Sequence, residues 1–93
     1  MIKTIVDKNT KKIWNRQWVK ALPQEAQRIG LRKLLMVHSA VTLDDLKVPP
    51  GNRLEKLDGD RAGQFSIRIN DQYRVCFRWS NGDAYNVEIT DYH

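Results

Sequence analysis

Asp91, Tyr92 and His93 are the last three residues of the 93-residue sequence. A carboxylate, a phenol and an imidazole are groups that transfer protons, and histidine does so near neutral pH. A second set is cationic. Arg68, Arg74 and Arg78 lie in segments that alternate apolar and polar residues, with Arg53, Lys56 and Arg61 shortly before them. Guanidinium groups grip phosphate through paired N–H donors. Proton-transfer groups beside arginines suit a phosphodiester: a base takes the attacking hydroxyl's proton, an acid protonates the leaving oxygen, and cations stabilise the dianionic phosphorane. In RNA the 2′-OH is a built-in nucleophile, so the product would be a 2′,3′-cyclic phosphate. Arginine supplies the positive charge, so this chemistry calls for no metal and no other cofactor. Cys76, His38 and His93 are in any case too far apart for metal-ligand spacing.

These groups need elements to hold them. Ile2 to Val6 reads as a short first strand. Asp7 or Asn9 can cap a helix in which Trp14, Trp18 and Ala21 recur at i, i+4 and i+7. Pro23 suits the first turn of a second helix, whose polar stripe is Gln24, Glu25, Arg28, Arg32 and Ser39, interrupted by Leu35. His38 falls on its broad apolar face and reads as a packed residue. Thr42 and Asp45 form a capping pair for one short helix that Pro49-Pro50-Gly51 ends. The period then changes to two. Leu54–Leu57 is a brief strand, followed by alternations of Phe65, Ile67 and Ile69, of Tyr73, Val75, Phe77 and Trp79, and of Tyr85, Val87 and Ile89. The expected fold is α+β: a single domain over 1–93, with helices on one face of a mainly antiparallel sheet. The tryptophans are assigned to the core.

Matching apolar to apolar residues sets the register, because a one-residue slip would turn every side chain over. Ile69 then faces Tyr73, Ile67 faces Val75 and Phe65 faces Phe77. On the other face Arg68 lies opposite Arg74, Ser66 opposite Cys76 and Gln64 opposite Arg78. The last hairpin adds Thr90 beside Arg74, Glu88 beside Cys76 and Asn86 beside Arg78. Like charges across a ladder are destabilising. The Arg68–Arg74 pair is therefore either a solvated face with splayed side chains or an anion site on which three guanidinium groups converge. No aromatic residue interleaves the arginines in this register. Cys76, with no histidine partner, reads as a small sheet residue.

The net charge of +5 comes from 16 basic and 11 acidic residues. It is divided unevenly. Residues 1–40 hold nine basic and two acidic side chains, a balance of +7, and residues 41–93 hold seven and nine, a balance of −2. The first half is a Lys-rich surface for a large polyanion, and the second carries the arginine site. With one cysteine there is no internal disulfide, no apolar run reaches membrane-spanning length, and no signal-peptide pattern opens the chain, so the expected location is cytoplasmic.

Three blocks resemble a known family: Pro49-Pro50-Gly51-Asn52-Arg53-Leu54-Glu55-Lys56-Leu57 with Gly59-Asp60-Arg61-Ala62-Gly63, then Ser66 to Phe77, then Val87 to His93. They are similar to HigB-type host-inhibition-of-growth toxins of the RelE/ParE superfamily. The resemblance implies a RelE/ParE-like fold and a ribosome-dependent endoribonuclease that cuts mRNA in the decoding site of the 70S ribosome. It also implies a cognate helix-turn-helix, HigA-like antitoxin, through which the pair would reach operator DNA. By position, Asp91, Tyr92 and His93 match the family's catalytic tail, and Arg74 its phosphate-contacting arginine. Some members carry a catalytic histidine where this chain has Glu55, so Glu55 or His93 is the expected base. Arg68, Arg61, Arg78, Arg53 and Lys56 are the expected substrate-binding set. Two other readings stay open: a non-nucleolytic inhibitor of this fold acting on DNA gyrase, and a plain nucleic-acid-binding module, which lacks support from any helix-turn-helix signature.

Overall fold

The computed structural model describes residues 1–91; Tyr92 and His93 lie outside the described residues. Two helices, α1 (Lys8–Trp14) and α2 (Gln24–Ser39), pack on one face of a four-stranded antiparallel sheet. Its strands are β1 (Glu55–Lys56), β2 (Phe65–Arg68), β3 (Tyr73–Ser80) and β4 (Asp83–Asp91), in the order β1-β2-β3-β4. The α+β expectation holds. Residues 2–6 make no full strand; they run parallel to β4 through bridges from Ile2 to Ala84 and from Ile5 to Val87. The core lies between α2 and the sheet and includes Leu34, Val37, Ile67, Val75, Phe77 and Val87, all fully buried.

The Asp7 carboxylate caps α1 by accepting from the Thr10 amide at 3.1 Å. Thr10 is itself buried, and its Oγ1 accepts the Ile89 amide of β4 at 2.9 Å. The helix stops at Trp14, because the chain reverses through Asn15 and Arg16, the latter at φ 63°. Trp18 is therefore not on the helix, and at 65% exposure it is not core. The 17–22 loop is instead held by buried Gln27, whose amide donates to the carbonyls of Val19 and Leu22 and accepts from the Val19 amide. His38 packs on Trp14, and its Nδ1 accepts the Ile2 amide, as a structural residue would. Thr42 and Asp45 form a capping box on a 3-10 turn, Leu43–Lys47.

The β2–β3 register matches the expectation: Phe65 faces Phe77, Ile67 faces Val75, Ser66 faces Cys76 and Arg68 faces Arg74. The β3–β4 register matches only at one end. Thr90 lies beside Arg74 and Glu88 beside Cys76, but Arg78 faces Tyr85 rather than Asn86. A β-bulge causes the difference. Between Cys76 and Arg78 the partner strand spends one extra residue, and Asn86 takes a left-handed conformation at φ 53°. Thr4 satisfies it, accepting the Asn86 amide on Oγ1 at 2.7 Å. Beyond the bulge the faces exchange. Ala84 turns into the core, and Tyr85 joins the arginine face.

Candidate active site

Arg74 sits near the middle of the helix-free face and is the best-held cation there. Its Nε donates to Ser66 Oγ at 2.7 Å, and its Nη2 donates to the Arg53 carbonyl at 2.6 Å and to the Ser66 carbonyl at 3.4 Å. The local sequence explains the brace. Ser66 is the small polar residue one place along the neighbouring strand, and Arg53 ends a 3-10 turn, Pro50–Asn52, in a left-handed conformation that aims its carbonyl at the sheet. These acceptors occupy Nε and Nη2, and among the described residues none takes Nη1. Glu55, paired with Ser66, brings Oε2 to 4.0 Å from Arg74 Nη2, with half its side chain exposed. An arginine and a carboxylate thus meet at the sheet surface.

The turn that supplies the Arg53 carbonyl is fixed from beneath. Buried Asn52 donates to the carbonyls of Leu46 and Val48, and its Oδ1 accepts from Lys33 Nζ at 2.5 Å. Partial burial lowers the Lys33 pKa, and Arg32 and Arg68 nearby push it the same way.

The arginines take different partners. Arg68 and Arg74 are directly opposed but turn apart, Arg68 pairing with Asp71 at 2.5 Å. Arg61 reaches over the face from the 57–64 loop and pairs with Glu88 at 2.6 Å, also donating to Gln64. Four residues separate Arg78 from Arg74 on β3, about 13 Å at a strand's rise per residue. The face is not simply solvated either, for Ser66 and Cys76 at its centre are fully buried. Arg53 and Lys56 have exposed side chains, and Lys56 pairs with Phe65, so it projects on the other side of the sheet from Glu55. Asp91 pairs with Tyr73, one step past Thr90 and on the opposite side from Arg74; its carboxylate accepts from Gln72 at 3.0 Å. The expected roles of Tyr92 and His93 fall outside the described residues. Among those described, no group of three or more His, Cys, Asp or Glu residues could hold a metal. No helix is long and apolar enough to cross a membrane.

Reading the sequence alone missed Ser66, Asn52 and Tyr85. The Ser66–Cys76 pairing was visible, but not that an arginine would fold back onto the serine.

Burial pushes the Cys76 thiol up from 9.0 to about 11; Glu88 adds to the shift, and Arg61 and Arg74 oppose it. The folded state therefore holds this proton more tightly than the unfolded chain does. The stability involved is complete below pH 9, and about 2–3 kcal/mol is lost as pH rises from 9 to 11. Urea unfolding of the wild type and Cys76→Ala across that range should show the steeper alkaline decline only in the wild type. Parallel declines would contradict it.

Residues 3–93 match the family described as RelE-like toxin of type II toxin-antitoxin system HigB. Toxin HigB-1 of Vibrio cholerae serotype O1 is 42% identical over 68 residues, which span 73% of this chain and 72% of that protein. Endoribonuclease HigB of Proteus vulgaris is 33% identical over 94 residues, covering 100% of both. Two solved structures share the fold. One is the YoeB-YefM complex from Staphylococcus aureus, with TM-score 0.58 and 13% identity over 100% of this chain and 98% of that one. The other is the YoeB/ParE toxin from Agrobacterium tumefaciens, with TM-score 0.52 and 19% identity over 98% and 100%. The match over nearly the whole chain, with a relative of the same length, settles the family: this chain belongs to the RelE-like HigB toxins of type II toxin–antitoxin systems.

Proposed function

We propose that this toxin is a ribosome-dependent endoribonuclease that cuts mRNA in the decoding site. The observation that carries the reading is Arg74, braced on both sides with one nitrogen untaken among the described residues, beside the Glu55 carboxylate. In the proposed reaction a base takes the 2′-OH proton, O2′ bonds to phosphorus, and the P–O5′ bond breaks as an acid protonates O5′. The products are a 2′,3′-cyclic phosphate and a 5′-hydroxyl. Arg74 stabilises the phosphorane without a metal, because its fixed guanidinium is already oriented toward the developing charge. Glu55 and His93 divide the proton transfers, Asp91 orients His93, and Tyr92 contacts the nucleotide. The exposed lysines Lys3, Lys8, Lys11, Lys12 and Lys20 dock ribosomal RNA, so activity weakens steeply with salt.

A cognate helix-turn-helix antitoxin of the HigA type holds the toxin inactive in the cytoplasm and links it to operator DNA. The relative named Endoribonuclease HigB supports the reaction class, and the structural neighbour in complex with YefM supports the antitoxin. Purified protein incubated with mRNA, with and without 70S ribosomes, tests the proposal. Cleavage is expected only with ribosomes, leaving fragments that end in cyclic phosphate. Intact mRNA together with blocked DNA supercoiling would replace it with the gyrase reading.

A further inference from the structure

The bulge at Asn86 puts an aromatic ring where uninterrupted pairing would put an amide. Tyr85 faces Arg78 across β3 and β4, on the face that also carries Arg74. Tyr85 is half-buried and Arg78 exposed. Arg61, Arg68 and Arg74 each have a carboxylate within 4.0 Å. Among the described residues Arg78 has no such partner. Its guanidinium lies instead against the bare backbone of Gly63, at φ 89°, where a Cβ would come within 2.7 Å of Nη1. A side chain at position 63 would push the guanidinium aside.

We infer that Arg78, Tyr85 and the Gly63 backbone form a second nucleotide subsite for single-stranded RNA, in which Tyr85 stacks on a base and Arg78 holds the adjoining phosphate. The inference rests on the reading of this face as an RNA site and adds to it a place for a neighbouring nucleotide. The roughly 13 Å along β3 between the Arg74 and Arg78 backbones leaves room for an RNA chain to continue from one to the other. Stacking on a phenol ring favours any base, so the subsite extends the footprint without selecting sequence. The uncompensated charge fits a phosphate better than a structural ion pair. Because the ring reaches this face only through the bulge, Thr4, which bonds the Asn86 amide, supports the subsite from the far side of β4.

The test uses the full chain and fluorescein-labelled single-stranded RNAs, lengthened one nucleotide at a time around a 2′-deoxy nucleotide that blocks cleavage. Affinity is read by anisotropy at low salt. The wild type is expected to gain about tenfold at the length that first reaches the subsite. Tyr85→Leu and Arg78→Gln should lose that step and bind the shorter RNAs as the wild type does, whereas Tyr85→Phe should keep it. Thermal unfolding of each variant separates a lost subsite from a lost fold, and Arg78→Gln carries the comparison if Tyr85→Leu does not fold. A length step indifferent to both residues would overturn the subsite while leaving the RNA reading in place. Failure of the wild type to bind free RNA at any length would overturn the subsite, while cleavage on ribosomes tests the RNA reading separately.

Discussion

Arg74→Ala is expected to slow RNA cleavage by about 10²- to 10³-fold, the usual loss when one preorganised donor to a developing oxyanion is removed. Stability should change little. Arg74 is largely covered, but its acceptors have other recourse: the Ser66 hydroxyl rotates, and the Arg53 carbonyl lies at an exposed residue that water reaches. Arg74→Lys should fare almost as badly, because an ammonium keeps the charge but cannot span Ser66 Oγ and the Arg53 carbonyl in one plane. Ser66→Ala should fall between, since it keeps the guanidinium and frees one edge of it. A hydrogen bond to a charged group is worth about 1.5–3 kcal/mol, so roughly a tenfold loss is expected, expressed in kcat more than in KM. Single-turnover cleavage on ribosomes with unfolding curves for each variant would check the series. Full activity in Arg74→Ala would remove this arginine from the mechanism.

Asn52→Leu should cost about 3 kcal/mol or more, although the two side chains share the same branched skeleton. Asn52 is fully buried and bonds to two carbonyls and an ammonium. Leucine would leave all three without a partner, each at about 1–3 kcal/mol. Small domains are stable by about 5–15 kcal/mol, so the unfolding midpoint should drop by more than about 10 °C. Cleavage should fall too, even at temperatures where the variant remains folded, because the loosened turn carries the carbonyl that orients Arg74. Differential scanning calorimetry and cleavage at low temperature separate the two effects. A stable variant with weakened cutting would still implicate the turn; a stable and fully active one would not.

The sequence carried the sheet well where side-chain alternation is uninterrupted. Phe65, Ile67 and Ile69 can pair with Tyr73, Val75 and Phe77 in only one register that buries them all, and that register exposed the Arg68–Arg74 opposition. Alternation failed at β4 because Tyr85, Val87 and Ile89 alternate convincingly, whereas the bulge moves Tyr85 out and brings small Ala84 in. The sign of a bulge, an asparagine able to take positive φ, is too common to read locally. Trp14, Trp18 and Ala21 likewise imitate a helix face, but the reversal at Arg16 comes first and Trp18 remains outside. At the site, the presence of arginines was legible and their directions were not. Which acceptor each guanidinium reaches depends on loops, such as the one that carries Arg61 to Glu88 and the turn that offers the Arg53 carbonyl. Those contacts join segments far apart in sequence, and no local pattern encodes them.

The parallel pairing of residues 2–6 with β4 bears on when the fold can form. Thr4 and Asn86 are 82 positions apart, and the bonds between these segments span nearly the whole fold. Contacts of such high order are slow to form, since the loop-closure entropy of nearly the whole chain must be overcome before they contribute. Residues 2–6 have no strand edge to pair with until β4 is in place, and the bulge at Asn86 is held only once Thr4 reaches it. Until both segments are present the sheet lacks this pairing, and the bulge that presents Tyr85 lacks the Thr4 bond that holds it.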